Sequence, residues 1–443
     1  MHDPFGTSDI FAQQTRVDPF AITPFSIFPF AVWRIIYFIQ KLNSSLHQIK
    51  STAIYETSGR IGMRSSFDAL RDFCSMLQNL IITLFTFIQN RIISRLRPPA
   101  PQDLRIFYIG GYWRGPNDMV AQMLQGLRVT GVQVMDFNTD KNQDALETDG
   151  HPYDMGTSSP VWLVRTKLFP LIFRFHPHIV ICNAGGLSFR KQDADFLRKV
   201  GIRLLTMVLS DPEVYEPTTS KIAGNFDVVY TVIDQYVERY RQQGTQAYFL
   251  PMATNPIFFH PVPPRPEYRC EVLILGAVHA DRVEPVKALV EHFDTHVYGE
   301  NWEKYGVKNR GFLFGEHALS ALNSASMAVI FAKTVTGFRG VKVGVLDFLA
   351  AGCLVVTEHV PDLERYFVVG KEIIAFDGVL DMLGKIRYYL DHPEEADAIR
   401  QAGRRKVINH FTWDKVWPRV LSTVIHIDGW TSDPNWIEGY FSE

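Results

Sequence analysis

From Leu104 onward, apolar and β-branched residues come in short runs that alternate with longer stretches of mixed polarity. The first series is LRIFYI (104–109), VQVMDF (132–137), HIVICN (178–183), RLLTMVLS (203–210), DVVYTV (227–232) and QAYFLP (246–251). Continuous apolar runs are the signature of strands buried on both faces, and such strands build parallel sheets covered by helices. The stretches between them, such as MVAQMLQGLRVTG, DADFLRKVG and DQYVERYRQQG, space apolar residues at helical intervals and close on a glycine, the common residue just past a helix end. A Rossmann-like domain is therefore predicted over residues 101–262.

The rhythm breaks at His260-Pro261-Val262-Pro263-Pro264-Arg265-Pro266 and restarts with CEVLILG (270–276), THVYG (295–299), MAVIFA (327–332), LVVTE (354–358) and EIIAF (372–376). This predicts a second Rossmann-like domain over 268–412, ending in a long helical stretch from Gly378 to Phe411. A Trp-rich tail, 413–443, is expected to pack back on the first domain. The fold class read from the pattern is α/β, with two parallel-sheet domains facing a cleft.

Residues 1–100 lack this rhythm and end in Arg97-Pro98-Pro99-Ala100-Pro101, a breaker run that marks a domain boundary. Phe73 to Asn90 carries no charge and is followed by Arg91, Arg95 and Arg97, but Ser, Thr, Asn and Gln dilute it below the roughly 20 apolar residues of a membrane span. Pro19 to Trp33 is apolar, interrupted by Pro24 and Pro29. Two readings of the extension stand: a mainly helical subdomain packed on the body, or a peripheral foot on a membrane surface through residues 19–97.

Length and charge narrow the function. At 443 residues the chain suits two domains with material left over, and size alone predicts a cleft. A net charge of -2, with no basic stripe, argues against nucleic acid. Cys74, Cys182, Cys270 and Cys353 show no CxxC or CxxH spacing, so no zinc site is expected, and the last three sit beside apolar runs as inert core thiols. With no export signal in view, the expected location is the reducing cytoplasm, the membrane-foot alternative placing the protein at the inner face.

In open parallel sheets ligands bind beyond the carboxyl ends of strands, so the loops after strands are the candidates. Gly110 and Gly111 open a turn leading toward Asp118, where backbone N–H groups can meet a ligand; a plain tight turn is the alternative. Gly276 ends the first strand of the second domain and is followed by Arg282 and Lys287, two cations for a leaving diphosphate; solvated helix charges are the alternative. The segment Thr336 to Gly344 brings Arg339, Gly340 and Lys342 ahead of an apolar helix that carries Asp347. That acid must find partners, either the hydroxyls of a donor or Lys342 or Arg339. Asp211, just after RLLTMVLS, is the candidate base for an acceptor hydroxyl, against a capping role before Pro212. Ser210 and Asn183 are candidate acceptor contacts. Asp193-Ala194-Asp195 has the letters of a metal-bridging DxD, but it opens a helix, where acids serve the dipole, so no metal is expected.

The span from about Ser210 to Trp413 resembles the group 1 glycosyltransferases, most closely their spore-maturation-type branch. FDVVYTVIDQYVERYRQQGTQAYFLPMATNPIFFHPV (226–262), HVYGENW (296–302), VLDFLAAGCLVVTEHVPDLERYF (345–367) and KIRYYLDHPEEADAIRQAGRRKVINHFTW (385–413) carry the likeness. The resemblance implies a GT-B fold, a nucleotide diphosphate sugar as co-substrate held mainly by the second domain, and no obligatory metal or other cofactor. Arg282 and Lys287 match the basic pair that relatives aim at the diphosphate. Many relatives carry glutamate at the position of Asp347 and a second acid eight residues earlier; here that residue is Arg339.

The leading expectation is transfer of a sugar from a nucleotide diphosphate to a glycan, lipid or protein acceptor. A sugar-nucleotide epimerase on the same architecture would release an epimerised sugar from donor alone, and a non-catalytic scaffold would tolerate loss of Arg282 and Lys287.

Overall fold

Both series of apolar runs fold as parallel strands in the computed structural model, which describes residues 99–430 except 113–117, 149–150, 153–158, 184–185, 212, 334–336 and 428. The extension before residue 99 lies outside the described residues, and with it both readings of residues 19–97.

The first sheet contains β1 (Arg105–Gly110), β2 (Gln133–Asn138), β3 (Ile179–Asn183), β4 (Arg203–Val208), β5 (Val228–Thr231) and β6 (Gln246–Phe249). Their order is β6-β5-β4-β3-β1-β2, every pair parallel. Beyond its first residue β1 is wholly buried, which is why LRIFYI shows no alternation. Helices α1 (Met119–Val129), α2 (Arg165–Phe175), α3 (Lys191–Lys199) and α4 (Asp234–Gln242) accompany it. A small second sheet is built from 146–148, 151–152 and 161–163, inserted after β2, and from 187–188, which follows β3. Strands of two or three residues leave no periodicity to read.

The other large sheet contains β7 (Cys270–Leu275), β8 (Thr295–Tyr298), β9 (Ala325–Ile330), β10 (Val355–Glu358) and β11 (Ile374–Phe376), ordered β8-β7-β9-β10-β11 and all parallel. It carries α5 (Val283–His292), α6 (Gly315–Ser324), α7 (Val343–Ala350), α8 (Val379–Asp391) and α9 (Pro393–His410). In each sheet the chain reverses its direction of winding beside the first strand, at β1/β3 and at β7/β9. Such switch points leave a crevice at the carboxyl ends of the two strands.

Both sheets lie in one compact unit, Arg95–Glu443. An apolar core runs from Ile106 and Leu205 through Leu250, Ala253 and Phe259 into Leu273, Leu346 and Trp417. The last described helix, α10 (Trp413–Ser422), leaves the second sheet and packs on α1 of the first. Trp413 and Trp417 are fully buried there, and the indole N–H of Trp417 donates to the Met123 carbonyl at 2.7 Å. Each ring removes enough apolar surface to stabilise the fold by about 4 kcal/mol. Gly126 makes the approach feasible: a Cβ there would fall closer than 3.0 Å to the Cβ of Trp413. Arg365 pairs with Asp234 at 3.2 Å across the domains, and the Met252 N–H donates to the Tyr366 hydroxyl at 3.0 Å.

Candidate functional site

At the switch point of the second sheet, β7 ends on a glycine. Gly276 has φ +146°, and its carbonyl accepts the indole N–H of Trp302 at 2.8 Å. Gly299, the residue after β8, presses against the same carbonyl, and a Cβ at that position would fall inside 3.0 Å of it. Two glycines and one buried indole therefore fix the floor of a cavity of about 160 Å³, lined by Gly276, Arg282, Trp302, Phe331, Lys342 and Gly344 among others.

Arg282 reaches this cavity from the short turn before α5. Its Nη1 donates to the Ala277 carbonyl at 3.3 Å and its Nη2 to the Lys333 carbonyl at 3.2 Å, while its buried Nε has no partner. Spending these donors on backbone carbonyls orients the guanidinium while leaving its charge for a ligand. Lys342 lines the same cavity as the residue preceding α7, and with Gly344 it brings the positive end of that helix to the same space. Burial, and then the Arg282 charge, lower the Lys342 pKa, while Glu213 raises it. Burial likewise lowers Arg282. Two partly desolvated cations beside a helix N-terminus make a site for a diphosphate.

Lys287 does not join them. It lies in the second turn of α5, about 140° around the helix from Arg282, and pairs with Glu284 at 3.3 Å with its side chain 47% exposed. The cation that meets Arg282 in the cavity is Lys342.

Arg339 stands off the cavity as well. Arg339 forms an antiparallel bridge with Lys333, and its guanidinium pairs with Glu358 at 3.0 Å. Gly340 packs on the Phe338 ring, where a Cβ would sit 2.8 Å from a ring carbon. Thr336 lies outside the described residues.

Asp347 pairs with neither Lys342 nor Arg339, and its side chain is taken up by a protein hydroxyl. It is 5% exposed and accepts the Thr254 hydroxyl at 2.6 Å. Burial, only partly offset by hydrogen bonds from Thr254 and Gln122, pushes its pKa up to about 7. The α7 helix is apolar nearly all round, so nothing in its periodicity told which flank the acid would take.

In the first domain the expected acceptor groups turn inward. Asp211 is 3% exposed, with its carboxylate held by the Thr231 hydroxyl at 2.8 Å and the Tyr240 hydroxyl at 3.1 Å. Burial raises its pKa to about 6. With both neighbours donating to it, Asp211 ties the loop after β4 to β5 and α4 instead of opening to an acceptor. Asn183 is fully buried and donates to the Tyr108 hydroxyl and the Met123 sulfur, facing α1 and not the crevice. Ser210 is exposed at the loop, its carbonyl accepting the Val214 N–H at 3.3 Å.

Gly110 and Gly111 are glycines for packing. A Cβ on Gly110 would meet the Asn183 carbonyl and the Val120 side chain at 2.9 Å, and one on Gly111 would meet the Asp140 carboxylate at 2.8 Å. The DxD letters are spent on ion pairs, Asp193 with Arg165 at 3.6 Å and Asp195 with Arg198 at 2.8 Å. Among the described residues no group of three His, Cys, Asp or Glu side chains could hold a metal, and no helix is long and apolar enough to cross a membrane. Cys182, Cys270 and Cys353 are buried free thiols, the last two pushed up to about 12 by burial.

Three residues of the site escaped sequence reasoning. Trp302 stands inside HVYGENW, yet nothing in that string says its N–H would hold a glycine carbonyl. Phe331 reads as one more strand residue. Glu213, two residues beyond Asp211, is the first-domain acid whose charge reaches Lys342.

Residues 280–422 match the family model described as glycosyl transferase-like. The spore protein CgeB of Bacillus subtilis is 22% identical over 228 residues, 47% of this chain and 71% of that protein. Among solved structures, a sucrose-phosphate synthase from Thermosynechococcus elongatus aligns with TM-score 0.48 and 16% identity over 71% of this chain and 96% of its own. A glycosyltransferase from Rickettsia africae aligns with TM-score 0.49 and 12% identity over 72% of this chain and 97% of its own. The segment that carries both cations of the cavity, Arg282 and Lys342, is thus the one that matches the glycosyl transferase-like family model.

Proposed function

We propose that the chain transfers a sugar from a nucleotide diphosphate donor, seated in the cavity at β7 and β9, to a glycan, lipid or protein acceptor presented by residues 101–262. The observation that carries this reading is the meeting of Arg282 and Lys342 at a sheet switch point, beside the N-terminus of α7. Bond cleavage at the anomeric carbon leaves negative charge on the diphosphate, and fixed cations in a partly dry pocket stabilise that charge more in the transition state than in the ground state. In this reading the two side chains supply the charge compensation, and the chemistry needs no metal.

Glu213 is a first-domain carboxylate whose charge acts on Lys342. In an inverting transfer, this reading gives Glu213 the acceptor proton. In a retaining transfer the departing phosphate takes that proton, and Glu213→Gln leaves the rate unchanged.

Titration with UDP, GDP, ADP and dTDP sugars tests the reading. One of them is expected to give heat and a thermal shift that Arg282→Ala and Lys342→Ala weaken, and silence from the whole panel sinks it.

A further inference from the structure

The helix that walls the cavity is fastened to the other domain by buried polar groups. Lys342, just before α7, and Gly344 and Phe348 on it line the cavity, while Asp347, on the adjoining flank of the helix, hydrogen-bonds into the domain junction. There its Oδ1 accepts the Thr254 hydroxyl at 2.6 Å, and the Gln122 side chain of α1 also hydrogen-bonds the carboxylate. The adjoining Asn255 grips the same Gln122 twice. Its N–H donates to Oε1 at 3.1 Å and its side-chain amide to the Gln122 carbonyl at 3.0 Å. Thr254 is held by its own backbone, its N–H donating to the Phe411 carbonyl and its carbonyl accepting the Trp413 N–H, each at 3.0 Å.

All four side chains are nearly dry, with Gln122 and Thr254 fully buried, Asn255 3% exposed and Asp347 5% exposed. Polar groups in such surroundings are costly unless every partner is in place, so the network has one good arrangement and resists partial ones.

We propose that Asp347 is a positioning residue that, through Thr254 and the Gln122–Asn255 pair, locks the cavity-lining helix α7 to α1 of the first domain, so that a ligand on Lys342 is felt by that domain. The last clause rests on the donor-site reading. The lock itself does not.

Amide hydrogen exchange on the full chain tests it, with wild type, Thr254→Val, Thr254→Ser and Asp347→Asn, each with and without saturating inorganic pyrophosphate. Pyrophosphate should slow exchange at 342–348 in every protein. At 119–129 it should slow exchange in wild type and Thr254→Ser, and lose that effect in Thr254→Val. Equal protection of 119–129 in wild type and Thr254→Val overturns the proposal, as does protection confined to 342–348 in wild type. If pyrophosphate protects nothing in wild type, the donor-site reading fails, and the lock is judged without ligand. Thr254→Val and Asp347→Asn must then speed exchange about tenfold in both 119–129 and 343–350, the loss expected when a buried hydrogen bond is broken. Unchanged exchange overturns the lock.

Discussion

Replacing Asp347 by Asn should change how stability depends on pH, in a direction set by burial. In the folded chain the carboxyl titrates near 7, against an ordinary value of 3.8, with desolvation as the main cause. A raised carboxyl pKa means that the folded state holds the proton more tightly than the unfolded one. The associated stability is fully present below the unfolded value and is lost as pH rises through the folded value. Between pH 5 and pH 8 the wild type gives up nearly two pK units of linkage at ~1.4 kcal/mol each, or about 3 kcal/mol. The Asn variant does not titrate there. Its amide changes stability by some constant offset, because it must share Thr254 and Gln122 differently, but that offset is flat in pH. Urea denaturation of both proteins at pH 5, 6, 7 and 8 measures the difference, since every other ionisable group cancels. The variant should gain on wild type by about 3 kcal/mol across the series. Curves that stay parallel to within ~0.5 kcal/mol would refute the argument, because they require Asp347 to titrate as a solvated acid.

Arg282→Ala and Lys342→Ala should each lower kcat/KM on the order of 100-fold, whereas Lys287→Ala, whose side chain pairs with Glu284 on the surface, should stay within about threefold of wild type in the same steady-state assay. Gly126→Ala should gain up to ~1 kcal/mol of helix propensity yet lose more by driving Trp413 from α1, for a net loss of about 2 kcal/mol by chemical denaturation. Trp302→Phe keeps the ring but drops the N–H that holds the Gly276 carbonyl; it should cost about 1–2 kcal/mol of stability and raise the donor KM several-fold.

The strands were legible because burial on both faces writes itself into the chain as unbroken apolar runs. CEVLILG predicts a strand over 270–276 and the structure has one at Cys270–Leu275; LRIFYI differs from Arg105–Gly110 by a single residue. Side-chain direction was far less legible. Asp347 lies on a helix with no polar face to set its phase, so only the placement of Thr254 and Gln122, distant in sequence, decides that it points into the junction. Lys287 follows Arg282 closely in sequence, but the helical turn between them carries it to the surface, while Lys342 arrives from a different strand end. Asp211 and Asn183 occupy the strand-end positions where ligands bind, and both spend their polar atoms on neighbouring elements instead. Position at a strand end was readable, and the rotamer that turns a group toward core or crevice was not.

The docking of α10 on α1 has a consequence for synthesis. A ribosome releases the first sheet and α1 long before Trp413 is made, so the apolar flank around Gly126 and Met123 stays uncovered while the entire second sheet is translated. The early half of the molecule cannot be finished before the late half. A nascent chain stalled anywhere between these points would display a sticky helix face, and such stalled chains should draw chaperones that the completed protein no longer engages.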